Sequence, residues 1–217
     1  MAFQLFQNLI SLRMHTENET GIPLQKGGAS SDTDATATLG SADDAKDFYN
    51  VVKQRLQLVS HWQEWAGAAT AHFQLTDGEG KAVDRAAQEG DYFKIDIPGP
   101  GPASGDGFDW VRVETINETT SHNKEQISIQ VRPVSSPGND KKDVAHFFSG
   151  ESSSCFMVTR DENKVTAGVH GRNEKPNTDT ETLADKARNV AIATGAVAAF
   201  SKMQWKSLVN GLIKKEA

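Results

Sequence analysis

The sequence predicts an α+β fold: a curved antiparallel sheet of about six strands packed on a long C-terminal helix, with a second amphipathic helix before the sheet. Three observations predict it. From Ala69 to His170, apolar residues recur at every second position, the period of a strand with one buried face. The links between these runs are short and rich in Gly, Asp and Asn, which joins neighbours antiparallel. Near Asp44–Ala66 and Thr180–Ile213 the spacing changes to three and four, the period of an amphipathic helix.

Taken in order, Phe3–Met14 mixes both periods and reads as one apolar element that docks on the main core. Thr16–Gly40 is polar, with only Ile22, Leu24 and Leu39 as large apolar residues, and its composition predicts loop or disorder. Residues 1–40 are therefore an apolar element plus a polar arm, and 41–217 a single α+β domain. Ser41 is a good N-cap, and Asp43 and Asp44 suit the positive end of a helix dipole. Phe48, Val52, Leu56, Val59 and Trp62 form the core-facing stripe of that helix, and Gly67 ends it.

The strands follow. Ala71, Phe73 and Leu75 alternate up to the reversal at Asp77-Gly78. Phe93, Ile95 and Ile97 share a face, and the prolines from Pro98 to Pro102 stop that strand. Val111 and Val113, then Ile127, Ile129 and Val131, then Phe156 and Val158, then Val165–His170 complete the sheet. The last stripe runs from Leu183 through Val190, Val197 and Trp205 to Leu212, with an Ala-rich middle that permits close packing. A straight helix over Thr180–Ile213 is roughly 50 Å long. A compact domain of this size is about 45 Å across. The helix therefore kinks near Gly195 or reaches a partner.

Charge and composition exclude some roles. A net charge of −6 over 217 residues, with only the small basic clusters Lys141–Lys142 and Lys214–Lys215, offers no basic face for phosphate. No nucleic-acid partner is expected. The one cysteine, Cys155, forms no internal disulfide, and it sits in a strand-like run as a small buried hydrophobe. No apolar run approaches a membrane span, and the N-terminus lacks a cationic start and cleavage site. A cytoplasmic protein without a membrane partner is the expectation.

No segment fixes a reaction. Gly99, Gly101, Gly105 and Gly107 carry prolines between them and read as a rigid turn, not a phosphate cradle. Asp106, Asp109 and Glu114 lack a full calcium loop. His61, Trp62 and Trp65 read as core. The histidines have no metal spacing, so neither a metal nor a cofactor is expected, and no catalytic residue is assigned. The densest polar stretch is Arg172–Asn177, with His170 just before it. Its residue types could bind an anion or do acid–base work, but a capping and hinge loop that satisfies backbone ends is the preferred reading. The candidate ligand-binding residues are Phe93, Ile95 and Trp110 on the sheet, with His170, Arg172, Asn173 and Glu174.

The order of elements resembles that of helix-grip ligand-binding folds, which hold apolar molecules between sheet and helix. The resemblance lies in element order, and no residue motif accompanies it. Two functions follow as expectations. The first is a non-catalytic interaction or structural subunit of a larger assembly, with other protein subunits as partners, a homo-oligomer included. The alternative is a carrier or sensor of a small apolar ligand between the sheet and the C-terminal helix. An enzyme ranks behind both.

Overall fold

The structure, a computed structural model, describes residues 21–67, 71–97, 101–138, 143–179 and 197–215. The Phe3–Met14 element and the 180–196 part of the predicted long helix lie outside these residues. In chain order the elements are β1 (Ala29–Thr38), α1 (Ala42–Gln57), α2 (Trp62–Ala66), β2 (His72–Thr76), β3 (Tyr92–Asp96), β4 (Asp109–Thr120), β5 (Lys124–Pro133), β6 (Ser153–Asp161), β7 (Lys164–Glu174) and α3 (Val197–Leu212). The strands form one antiparallel sheet in the order β1-β7-β6-β5-β4-β3-β2. No described helix is long and apolar enough to cross a membrane.

The sheet has seven strands where the sequence predicts about six. The additional one is β1, which corrects the expectation of a loop throughout Thr16–Gly40. Its sequence ASSDTDATAT does alternate, but with small residues. Ala35 is its one buried residue. An edge strand needs little apolar area of its own, because β7 supplies its ladder from Thr38↔Lys164 to Ala29↔Glu174. Its three β-branched threonines suit an extended backbone, but its Asp and Ala residues do not favour strands, so pairing with β7 carries this strand.

The first helix is also corrected. Ser41 caps it as expected: its Oγ accepts from the Asp44 N–H at 3.1 Å. The predicted helix over Asp44–Ala66 is broken at Leu58, followed by a 3-10 turn at Val59–His61 and the short α2. The break turns Trp62 into the core. Its indole N–H donates to the Leu56 carbonyl at 3.0 Å, satisfying a helix-end acceptor. Gly67 ends α2 at φ 91°.

The helices and the sheet share one core. Phe93, Val111, Val113, Ile127, Ile129, Val131, Phe156, Val158, Val165 and Val169 face α1 to α3, whose Tyr49, Val52, Leu56, Trp62, Leu208, Val209 and Leu212 are buried with them. Trp62 is the hub. Its ring centroid lies 4.7 Å from Phe156, 5.2 Å from Phe73 and 5.7 Å from Phe93. Trp205 of α3 closes the group at 5.4 Å from Phe156 and 6.0 Å from Phe73. Such tilted and edge contacts add about 0.5–1.5 kcal/mol per pair beyond burial. A hollow of ≈ 10 Å³ remains between Trp62, Phe73, Gln204 and Leu208, room for a single water.

Candidate binding face

Alternation fixes which side chains leave the core. Opposite Ile127, Ile129 and Val131, strand β5 presents Gln126, Ser128, Gln130 and Arg132. The register continues this outer face through Ser153, Cys155, Met157 and Thr159 on β6, Thr166, His170 and Arg172 on β7, and Asp32 and Thr36 on β1. In a two-layer α+β fold the face away from the helices ordinarily meets water. Here Ser128, Ser153, Cys155 and Met157 are at most 5% exposed.

Residues 21–28 cross this face as a strap. The Cys155 thiol makes a long contact, 3.9 Å, with the Gly21 carbonyl. Asn173, at the end of β7, holds the far end of the strap. Its Oδ1 accepts from the N–H groups of Lys26 at 2.6 Å and Gly27 at 3.2 Å. Its Nδ2 donates to the Leu24 carbonyl at 3.2 Å, and its own N–H donates to Gln25 Oε1 at 2.9 Å. Asn173 has φ 56°, a left-handed conformation that Asn tolerates better than most residues. Gly28, at φ 75°, passes so close to β7 that a Cβ there would sit 2.6 Å from the Glu174 carbonyl oxygen.

Beside the strap lies a charged cluster. Asp32 Oδ1 accepts from Arg172 Nη2 at 2.7 Å and meets His170 Nδ1 at 2.7 Å. Burial pushes the Asp32 carboxyl up, but the hydrogen bonds and charges of Arg172 and His170 outweigh it and hold the carboxyl below its usual range. Arg172 also donates to the Ser31 carbonyl at 3.1 Å. Glu174 accepts from Ser31 Oγ at 2.9 Å. Burial raises the Glu174 carboxyl above its ordinary value, more than Ser31 and Arg172 offset. Cys155 is the register partner of His170, but its sulfur is fully buried, so it offers no accessible thiolate for attack.

Among the described residues, ligand-sized recesses open on this face. One, of ≈ 470 Å³, lies between the strap and the ends of β5 to β7, lined by Leu24, Lys26, Gln130, Arg132, Ser153 and Lys175 among others. The second, of ≈ 640 Å³, lies on the other side of Ile22, lined by Thr36, Lys124, Gln126, Met157, Thr159 and Thr166 among others.

The candidate residues separate into three places. Phe93 and Ile95 are core residues, 0% and 7% exposed. Trp110 lies on the opposite side of the sheet toward β3; its indole N–H donates to the Gly105 carbonyl at 3.3 Å, under the turn that the prolines predict. Lys94 lies over Phe108 beside it, 3.7 Å from the ring centroid. His170, Arg172, Asn173 and Glu174 do come together at the strap. Sequence reasoning omitted Asp32, which completes their cluster, and Gln130, Arg132 and Ser153. The signal for these last three was the polar phase of an alternating strand, read as a wet face. Among the described residues no group of three or more metal-ligating side chains gathers. Asp109 instead accepts from the Phe147 N–H at 3.0 Å, and Glu114 from Arg132 at 2.9 Å.

No protein-family model and no curated protein matches the chain. It is similar to several solved structures at low identity. A hypothetical protein from Helicobacter pylori is 14% identical over 85% of this chain and 86% of that chain, with a TM-score of 0.47. A truncated norcoclaurine synthase from Thalictrum flavum is 8% identical over 89% of this chain and 99% of that one, with a TM-score of 0.38. The major latex-like protein 151 from Panax ginseng is 16% identical over 79% of this chain and 97% of that one, with a TM-score of 0.32.

Proposed function

We propose that the chain is a non-catalytic binding subunit that joins other protein subunits, copies of itself included, through the outer face of its sheet. One observation carries the reading. The recesses of ≈ 470 and ≈ 640 Å³ both open on the outer face and offer concavities that a partner's side chains can fill with the close shape complementarity of protein interfaces. The alternative, an apolar-ligand carrier, requires such a space on the helix side.

Native mass spectrometry of the purified chain tests this with two kinds of variant. Lys26→Glu and Lys164→Glu alter exposed positions of the outer face, and Met203→Glu alters α3, where Met203 is 66% exposed. An assembly that loses subunits in the first two and keeps them in the third supports the reading. A monomeric mass at every concentration, with a co-purified apolar molecule, would favour the carrier instead.

A further inference from the structure

We infer that the ≈ 470 Å³ cleft beside the strap is a carboxylate-binding site, taking the carboxyl group of a small aliphatic acid or of a peptide chain. The inference rests on the outer sheet face being the working face.

Three features of the cleft point to this chemistry. The first is charge. Lys26, Arg132 and Lys175 line it, on a chain whose net charge is −6. Arg132 is bound to Glu114 at 2.9 Å and Lys175 to Glu151 at 2.6 Å. The Lys26 ammonium has no carboxylate partner among the described residues, so the cleft keeps one positive charge. That balances a carboxylate better than a phosphate dianion. Glu151 lines the cleft too, but its charge is taken by Lys175, and a cleft with a net positive charge raises the local concentration of anions.

The second is the set of donors. Arg132 spends Nε on Glu114 and Nη1 on the carbonyls of Gly150 and Glu151. These bonds fix the guanidinium plane and leave Nη2 for a ligand; a planar guanidinium suits a planar carboxylate. Ser153 lines the same cleft, is 2% exposed, and its Oγ is buried with no hydrogen-bond partner. Such a hydroxyl ordinarily costs stability unless something accepts from it. A carboxylate oxygen in the cleft would be that acceptor.

The third is the apolar wall. Leu24 is 37% exposed and lines the cleft beside Pro23. It sets aliphatic carbon next to the charged end. Asn173 and Gly28 hold this wall in place through the strap contacts described above. The recess is therefore asymmetric, with an ammonium, a guanidinium and a hydroxyl facing a leucine. That is the complement of a short amphiphilic acid.

The test is a two-dimensional amide NMR titration of the full chain with sodium butyrate. Butyramide is the neutral isostere, and sodium chloride at equal ionic strength controls for screening. Saturable shifts of the Gly27, Gln130 and Ser153 amides with butyrate alone, weakened at least tenfold in Lys26→Gln and in Arg132→Gln, are expected. Lys26 is exposed, so Lys26→Gln keeps the fold even if Arg132→Gln does not. Equal shifts with butyramide or chloride, or a wild-type titration in Lys26→Gln, would overturn the assignment. An acetylated Ala-Ala-Leu peptide, with its C-terminus free or amidated, separates the sources: tighter binding of the free peptide than of butyrate assigns the site to a chain terminus, and the reverse order to a small acid. If butyrate binds as expected and Lys26→Glu leaves the native mass unchanged, the site stands and the assembly reading falls. If butyrate fails and Lys26→Glu still dissolves the assembly, the carboxylate assignment alone falls.

Discussion

Asn173 shows how much one side chain can hold. It makes four hydrogen bonds to residues 24–27 and occupies a left-handed backbone position. Asn173→Ala removes three of the four and adds a backbone cost of about 1–2 kcal/mol at that φ. The strap should then open, with trypsin cutting after Lys26 at least ten times faster while the β-sheet circular dichroism is kept. An unchanged cutting rate would mean that the strap is held elsewhere. Glu174 gives a pH signature at the same end of β7. Its carboxyl is raised above the ordinary value of 4.5 mainly by burial. Between that value and the raised one the folded state holds more protons than the unfolded state, so this group's contribution to stability falls as pH rises through the window. Asp32 acts in the opposite sense: its lowered carboxyl stabilises the fold above the ordinary aspartate range and loses that as pH falls through the folded value. Glu174→Gln keeps the acceptor for Ser31 and removes the charge. It should be more stable than wild type in urea at pH 7, with the gain shrinking toward pH 4.5. A variant less stable at pH 7 would show that the charge is needed there. The role of Asn173 was partly legible: the polar Arg172–Asn177 run marked the place, and capping was one of its two readings. The strap partner was not, because nothing in the residues 24–27 says which strand end they meet.

At the scale of elements, α2 and α3 meet at a close joint. A Cβ on Gly211 would lie 2.2 Å from the Trp65 carbonyl oxygen, a backbone atom that cannot swing away. Arg55 ties the same region from α1, donating to the carbonyls of Leu212 at 2.9 Å and Lys214 at 2.7 Å at the end of α3. Gly→Ala in a solvent-facing helix gains about 1 kcal/mol. Overpacking at a close joint costs about 1–3 kcal/mol. Here the second effect should win, and Gly211→Ala should unfold at lower urea than wild type. A gain of about 1 kcal/mol would place Gly211 away from the joint. This contact was invisible in the sequence, where Gly211 looked like any helical glycine. The strands from β2 to β7 were legible because Phe73, Phe93, Val111, Ile129, Phe156 and Val165 are large and alternate. Strand β1 was not, because Thr33, Ala35 and Ala37 are too small to register as a buried face. The break at Leu58 was hidden for another reason. Val59 and Trp62 fit the helical stripe in spacing, and only the demand that Trp62 reach Phe93 and Phe156 breaks it.

For the whole molecule, the sheet separates two unlike surfaces. On the helix side, aromatic rings pack around Trp62. On the other side, a strap, a charged cluster and two recesses cover what composition alone marks as a polar face. The sequence-level expectation of a ligand site joined Phe93 and Ile95 to Arg172 and Asn173, which the sheet puts on opposite sides. Alternation fixes which residues share a face within a strand, but the register between distant strands comes only from the fold. The central claim is that the outer face is the one that binds. Hydroxyl-radical footprinting of the chain, alone and in its assembly, reads both surfaces in one experiment. Leu24, 37% exposed, reports the outer face, and Met203, 66% exposed, reports the helix side. The account predicts that Leu24 becomes protected on assembly while Met203 is oxidised at the same rate. Protection of Met203 with Leu24 unchanged would contradict it and move the binding surface to the helices.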